Sequence, residues 1–597
     1  MIKTEVGNMG RQKVLGKDLM LSAAAFEHAG GWIRDSEFIL TMGGVYMLAH
    51  GLGRPVEDAQ STFTCMESGE YHIYAYTFNW VSPWHRDMHP GEFEIHIGDN
   101  STKVLGICND HWDWEYGGCI RIGKGENTIK LHDLTGFEGR VAYIYISRES
   151  INLPCGGNEV LSLYIDKVIK NKESYSFDFV AAGGGFAGIC ASLAAARGGL
   201  KTALIQDRPV VGGNNSSEIR VWLGGGTNYD PFPGLGNIVG EFEQKNIGHY
   251  GPVNKAELYE DDRKMDILRK QENLTLFMEH CLISAEKKGD DIASVTLFDY
   301  RNEKLVEISA PLFADTTGDG NLGALAGADF EVTTNGHMGM SNLWHIEKSS
   351  DPKPFPRCPW AIDLSTSVFP GRKDHIDFYG HRGIESLGCW FWESGMTEDP
   401  IEKAEYSRDV NFRAMYGAWD TLRNIDHDYQ DYELTFAAAI AGKRESRRLL
   451  GDIVLTKSDF KYTFPDACAA TTWNFDVHYP HKNYYEAFKE GDAFITMDCR
   501  EIVDWPYFLP YRILYSRNVN NMFMAGRNVS VSHDASGTAR VMRTCGIMGE
   551  VVGYAARFCI KYSCSPRQIY TDHLEEFLSF LRSIENKEVF KAGSTVT

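Results

Sequence analysis

The stretch "VAAGGGFAG", Val180 to Gly188, constrains this chain more than any other. "FDFVAA" before it reads as a buried strand, "FAGICASLAAARGG" as a small-residue helix closed by glycine, and "KTALIQD" as a second strand. Strand, glycine turn, helix and strand in this order begin a parallel α/β sheet. Gly183, Gly185 and Gly188 fit G-x-G-x-x-G in that setting. The first glycine permits the tight turn, the second lets backbone approach a pyrophosphate, and the third lets helix and strand pack closely. The helix start then offers N–H groups and a positive dipole end to the anion. A glycine-rich turn in a nucleotide-free domain is the plainer alternative. The flanking strand and helix favour the nucleotide.

An acidic residue ordinarily ends the second strand of such a unit and binds a ribose. Here Gln206 stands there with Asp207 beside it, so the ribose contact falls to one or both. Two distant segments lengthen the ligand. "RPVVGGNNSSEIR" brings Gly212, Gly213 and Asn214, and "FMAGRNVSVSHDASGTARVMRTCG" is a strand, a glycine loop and a helix. A nucleotide touched by three such segments is long, and FAD is the obvious candidate.

These pieces, with "DTTGDGNLGALAGA", "GKRESRRLLGDIVLT" and "PYRILYSRNVNNMFMAGRNVS", resemble the FAD-dependent oxidoreductases of the flavoprotein class that includes fumarate reductase-type subunits. More narrowly, the region from about Tyr175 to Ala556 is similar to a bacterial family often encoded with carbohydrate-degrading enzymes. The resemblance implies a Rossmann-like FAD domain interrupted by a substrate domain. Carried over by position, it places FAD against Gly183, Gly185, Gly188, Gln206, Asp207, Gly212, Gly213, Asn214, Asp319, Gly526 and Arg527. The chain departs from the family at Arg543, where members tend to have proline after "RVM".

Ahead of this region the grammar is β. "EYHIYAYTFNW", "GEFEIHIGDN", "GKGENTIKLHDL" and "RVAYIYIS" are short strands and turns that suggest a jelly-roll-like β-sandwich. The expected layout is a sandwich over 1–150, a connector over 151–175, and the opening section of the FAD domain over 176–335. A substrate or cap region over 336–430 and the remaining FAD domain with C-terminal helices over 431–597 complete it. "FNWVSPWHRD" and "NDHWDWEYGG" set Trp80, Trp84, Trp112 and Trp114 beside His, Asp and Glu, as sugar-stacking sites do; a sandwich core is the competing place for them. If Trp84 and Trp112 bind sugar, the sandwich recruits glycan or lids the flavin site.

Sixty Lys and Arg against 81 Asp and Glu give a net charge of −21, which argues against a nucleic-acid partner. No signal-peptide run or membrane-length apolar segment is seen. The 13 cysteines include no C-x-x-C pair, so reduced thiols in a cytoplasmic protein and no metal centre are expected.

For chemistry, His533 lies in the loop before the last helix and suits a general base taking an alcohol proton; a loop histidine bonded to backbone is the alternative. Arg540 and Arg543, three apart, would share one helix face and hold an anionic substrate or the flavin edge, or form a buried ion pair. Arg444, Glu445, Arg447 and Arg448 read as a helical charge run within mutual reach, and Arg512 in "LPYRILY" as a substrate contact. Three functions stand. The first is FAD-dependent oxidation of a hydroxyl of a sugar or glycoside, with electrons passed to an unknown acceptor. The second is an FAD reductase or dehydrogenase of a small carboxylate or enone, and the third a non-catalytic carbohydrate-binding protein on a flavin fold.

Overall fold

The computed structural model describes residues 13–248, 250–373, 380, 382–480, 495–503 and 505–587; the first twelve residues of the start segment lie outside it. The chain divides into two units, Met1–Lys172 with Asp299–Leu305, and Glu173–Phe298 with Val306–Thr597.

The first unit is a β-sandwich. One sheet orders Val14–Leu15, Ala59–Cys65, Gly125–Asp133, Phe93–Ile97 and Asn100–Ser101; a second orders Asp18–Ser22, Tyr143–Ser147, Gly69–Thr77 and Asp113–Ile122. Ala59–Cys65 alternates buried and half-buried residues, as a strand with one face on the core must. Phe63, Ile73, Ile95, Ile129 and Ile144 meet in that core.

The second unit is built on a five-stranded parallel sheet in the order Leu274–Met278, Thr202–Gln206, Phe179–Ala182, Leu312–Asp315, Met522–Met524. Phe179–Ala182 and Thr202–Gln206 are buried throughout, which is why they read as unbroken apolar runs. The strand order reverses between Phe179–Ala182 and Leu312–Asp315, and ligands of such sheets bind at that switch point. Helix Phe186–Arg197 lies against helix Met542–Tyr562 at very close range. A Cβ on Gly549 would stand 2.1 Å from the Ala187 carbonyl oxygen, and one on Gly553 2.3 Å from that of Ala191. Among the described residues no helix is long and apolar enough to cross a membrane.

Three expectations change. The middle region, read as irregular, contains helix Ala404–Asp420, nearly all of it buried, Arg408 and Arg413 included. A helix buried on every side shows no amphipathic stripe. "GKRESRR" is no helix: short strands Gly442–Lys443 and Arg448–Leu449 flank an irregular stretch, although Glu445 and Arg448 do pair. The last helix is two, His533–Ala539 and Met542–Tyr562, broken at Val541 with ψ 146°. Arg540 and Arg543 therefore share no helix face.

Candidate active site

The glycine turn separates by what each position faces. A Cβ on Gly183 would lie 2.3 Å from the Thr316 carbonyl oxygen, and one on Gly188 1.8 Å from that of Gly183. Gly183 also has φ +109°, a left-handed backbone that only glycine takes easily. At Gly185 a Cβ meets nothing within 4 Å. Two glycines are thus demanded by packing, and the middle one borders open space at the start of helix Phe186–Arg197. Gly212 continues this rim by donating its N–H to Gly184 O at 2.8 Å, while a Cβ on Gly213 would stand 3.3 Å from Gly185 Cα. Backbone stripped of side chains around a helix start fits a pyrophosphate.

Gln206 is buried and used internally. Its Oε1 accepts from Gly184 N at 2.8 Å and its Nε2 donates to Val210 O, so it braces the turn, while Asp207 beyond it is half-buried. Lys264 braces the second loop from behind, donating to Asn215 O; burial lowers its amine to about 8 against the pull of Asp261.

Asp319 meets Lys443 at 3.0 Å, Arg527 at 2.5 Å and the Ser446 hydroxyl at 2.7 Å. Burial pushes its carboxyl up, but Lys443 and Arg527 hold it well below the usual carboxylate range. Gly526 precedes Arg527 with φ +116°, and the Arg527 Nε is buried without a hydrogen-bond partner. The orphaned donor and the open glycine rim both suit a bound anionic cofactor. Gly185, Gly213, Asn214 and Arg527 would hold it.

Next to Asn214 opens a cavity of about 420 Å³. Its lining joins three indoles, Trp222, Trp390 and Trp473, to four arginines, Arg220, Arg444, Arg500 and Arg540, with Asp476 and His478. Strand Phe475–Pro480 puts Asp476 and His478 on one face, two residues apart. His478 Nδ1 lies 2.6 Å from Glu393 Oε2 and its Nε2 3.3 Å from Asp476 Oδ1. Glu393 also accepts from the Thr496 hydroxyl at 2.8 Å and faces Arg444 at 3.3 Å. Its burial would raise the carboxyl, yet Arg444 and His478 hold it at about 2. Asp476 is likewise held down against burial, by His478, Arg540 and Arg500. An imidazole whose Nδ1–H is donated to the Glu393 carboxylate keeps a fixed orientation, and in its neutral form the Nε2 lone pair can take a proton.

Of the expected catalytic residues, Arg540 lines this cavity and His533 and Arg512 are not among its lining residues; nor is Arg543, expected to contact substrate. His533 begins a helix and pairs with buried Glu445 at 2.8 Å, a bond that raises the imidazole's pKa against burial. Arg512 clasps Asp466 at 2.9 and 3.1 Å and stacks over Tyr570. Arg543 clasps Glu243 at 2.6 and 2.9 Å. In the sandwich, Trp112 is a core residue packed on Tyr46, Tyr76 and Phe78, and Trp80 is buried with its Nε1 donating to Phe137 O. Trp114 donates to Pro154 O, and Trp84 is half-buried. Sequence reasoning missed His478, Asp476 and Glu393. Alternation in "FDVHY" could have paired the first two, but nothing local points to Glu393. Among the described residues no cluster of His, Cys, Asp or Glu could hold a metal ion.

Similar solved structures include E. coli quinol fumarate reductase FrdA, at 11% identity and TM-score 0.30, covering 68% of this chain and 74% of that one. A geranylgeranyl bacteriochlorophyll reductase-like protein from Thermoplasma acidophilum matches at 12% and 0.30, covering 70% and 90%. A family 35 carbohydrate binding module from Clostridium thermocellum matches at 14% and 0.18, covering 22% of this chain and 98% of that one. No curated protein matches the chain significantly. The family model described as FAD dependent oxidoreductase matches residues 178–578, and so the chain belongs to the FAD-dependent oxidoreductases.

Proposed function

We propose that this protein oxidises a hydroxyl group of a sugar or glycoside, with the cavity beside Asn214 as the substrate site. The observation that carries this reading is His478, gripped by Glu393 at 2.6 Å, in a cavity shared with three indoles. Indole faces suit the apolar face of a sugar ring. His478 takes the place first considered for His533: in its neutral form, with Nδ1–H donated to Glu393, its Nε2 lone pair receives the hydroxyl proton as the carbon–oxygen bond becomes a carbonyl, and Glu393 and Asp476 then hold the imidazolium. FAD, when bound, supplies the two-electron acceptor for the hydride leaving the same carbon. Arg540 and Arg444 orient polar substituents around the cavity wall.

The first test is the absorbance spectrum of the FAD-loaded protein, followed anaerobically as a panel of glycosides is added. Bleaching by a sugar supports the reading. Bleaching by small carboxylic acids alone would replace it with a carboxylate dehydrogenase, for which the arginines would serve as clamps. The β-sandwich unit is read as recruiting glycan through Trp84 rather than Trp112. Unchanged retention of a Trp84→Ala full-length variant on immobilised polysaccharide would refute that role.

A further inference from the structure

Resting on the reading of this cavity as a sugar site, we propose that the sugar it takes carries an anionic substituent, a uronate carboxylate or a sulfate ester. Four guanidinium groups line the cavity in a chain whose net charge is −21, so the positive wall runs against composition. The carboxylates that meet them are fewer. Glu393 faces Arg444, Asp476 lies 3.6 Å from Arg540 and 3.7 Å from Arg500, and Asp498 pairs with Arg500.

Arg220 is the least compensated of the four, with Glu257 and Glu347 acting on it only from beyond ion-pair contact. Its guanidinium donates to the backbone oxygens of Ser217 and Asn254 and lies 3.4 Å over the Phe436 ring, and among the described residues no carboxylate pairs with it. Its backbone sits at φ +65°, a conformation that costs a residue with a Cβ and that tends to persist where a site needs it. Arg540 adds a second signal, since its Nε is buried without a hydrogen-bond partner. A neutral sugar leaves Arg220 partly stripped of water, whereas an anion compensates it through the planar donor fork. Trp222 and Trp473 meet edge to face and Trp390 packs on His478, and a small acid without a ring would leave the apolar cavity wall they form uncovered. Ring and charge together describe an acidic sugar.

The test compares matched substrates on the full-length FAD-loaded protein: a methyl glycoside, its 6-carboxylate and its 6-sulfate. The readout is the anaerobic rate of flavin bleaching. An acidic member is expected to exceed the neutral one in kcat/KM by about tenfold or more, and the two acids tell carboxylate from sulfate. Arg220→Asn, which keeps a residue tolerant of left-handed backbone, and Arg540→Gln should each collapse that ratio toward one. Equal rates for acidic and neutral sugars, or a ratio unmoved in both variants, would overturn the inference and leave sugar oxidation standing. Bleaching by none of the sugars would overturn both.

Discussion

His478 Nδ1 lies 2.6 Å from a Glu393 carboxylate that is wholly buried and held at about 2 by Arg444 and the imidazole itself. The pair comes from segments 85 residues apart in the chain, yet fixes one ring nitrogen and leaves the other to face Asp476. Replacing His478 by alanine should lower kcat about 10²–10⁴-fold, the range for a positioned proton acceptor, while FAD content stays constant. Anaerobic single-turnover reduction measures the first and the flavin spectrum the second. Full retention of the reduction rate would return His533 to first place.

Gly185 tests the cofactor rim separately from the fold. Its φ of −70° suits any residue and no protein atom lies within 4 Å of a Cβ there. Gly185→Ala should therefore change the thermal stability of the FAD-free protein by no more than about 0.5 kcal/mol, while weakening FAD binding tenfold or more by fluorescence titration. A variant that binds FAD normally would show that the open space is not the pyrophosphate seat.

Gly549 makes the opposite case. Its Cβ would meet the Ala187 carbonyl oxygen at 2.1 Å, so Gly549→Ala must push the paired helices apart. A loss of about 1–3 kcal/mol in denaturant unfolding is expected from such overpacking, with FAD affinity falling as well because Ala187 belongs to the first turn after the glycine rim.

Glu550 gives a pH signature. It accepts the N–H groups of Gly236, Ile238 and Val239, but complete burial outweighs those bonds and raises its carboxyl to about 8. A carboxyl raised on folding stabilises while protonated, and that contribution is lost as pH rises from its ordinary value of 4.5 through about 8. Glu550→Gln keeps an acceptor and removes the titration. Relative to this variant, the natural protein should lose a few kcal/mol of stability between about pH 5 and pH 9, measured by urea unfolding.

What the residues disclosed in order along the chain, and what they hid, follows from the range of each signal. The dinucleotide turn is local: strand, three glycines and helix lie within twenty residues or so, and their spacing is dictated by backbone geometry. Sandwich strands such as Ala59–Cys65 and Phe93–Ile97 show because they alternate against one core. Helix Ala404–Asp420 stayed hidden because it has no solvent face to imprint a period. The break at Val541 carries neither Gly nor Pro, so one continuous helix was the natural expectation. Among the residues that line the cavity, Asn214 and Arg540 stand out in the sequence by their places in glycine-linked segments. Glu393 was not, because only the folded chain brings it to strand Phe475–Pro480, and long-range pairing leaves no mark on neighbouring residues.

The glycine seam between Phe186–Arg197 and Met542–Tyr562 has a consequence for the protein's birth. Helix Phe186–Arg197, which starts at the glycine rim, is made well before its backing partner Met542–Tyr562. Until then helix Phe186–Arg197 lacks the close cover that Gly546, Gly549 and Gly553 permit. A chain cut between these two helices therefore loses the packing that backs the glycine rim, even with the rim's own residues intact.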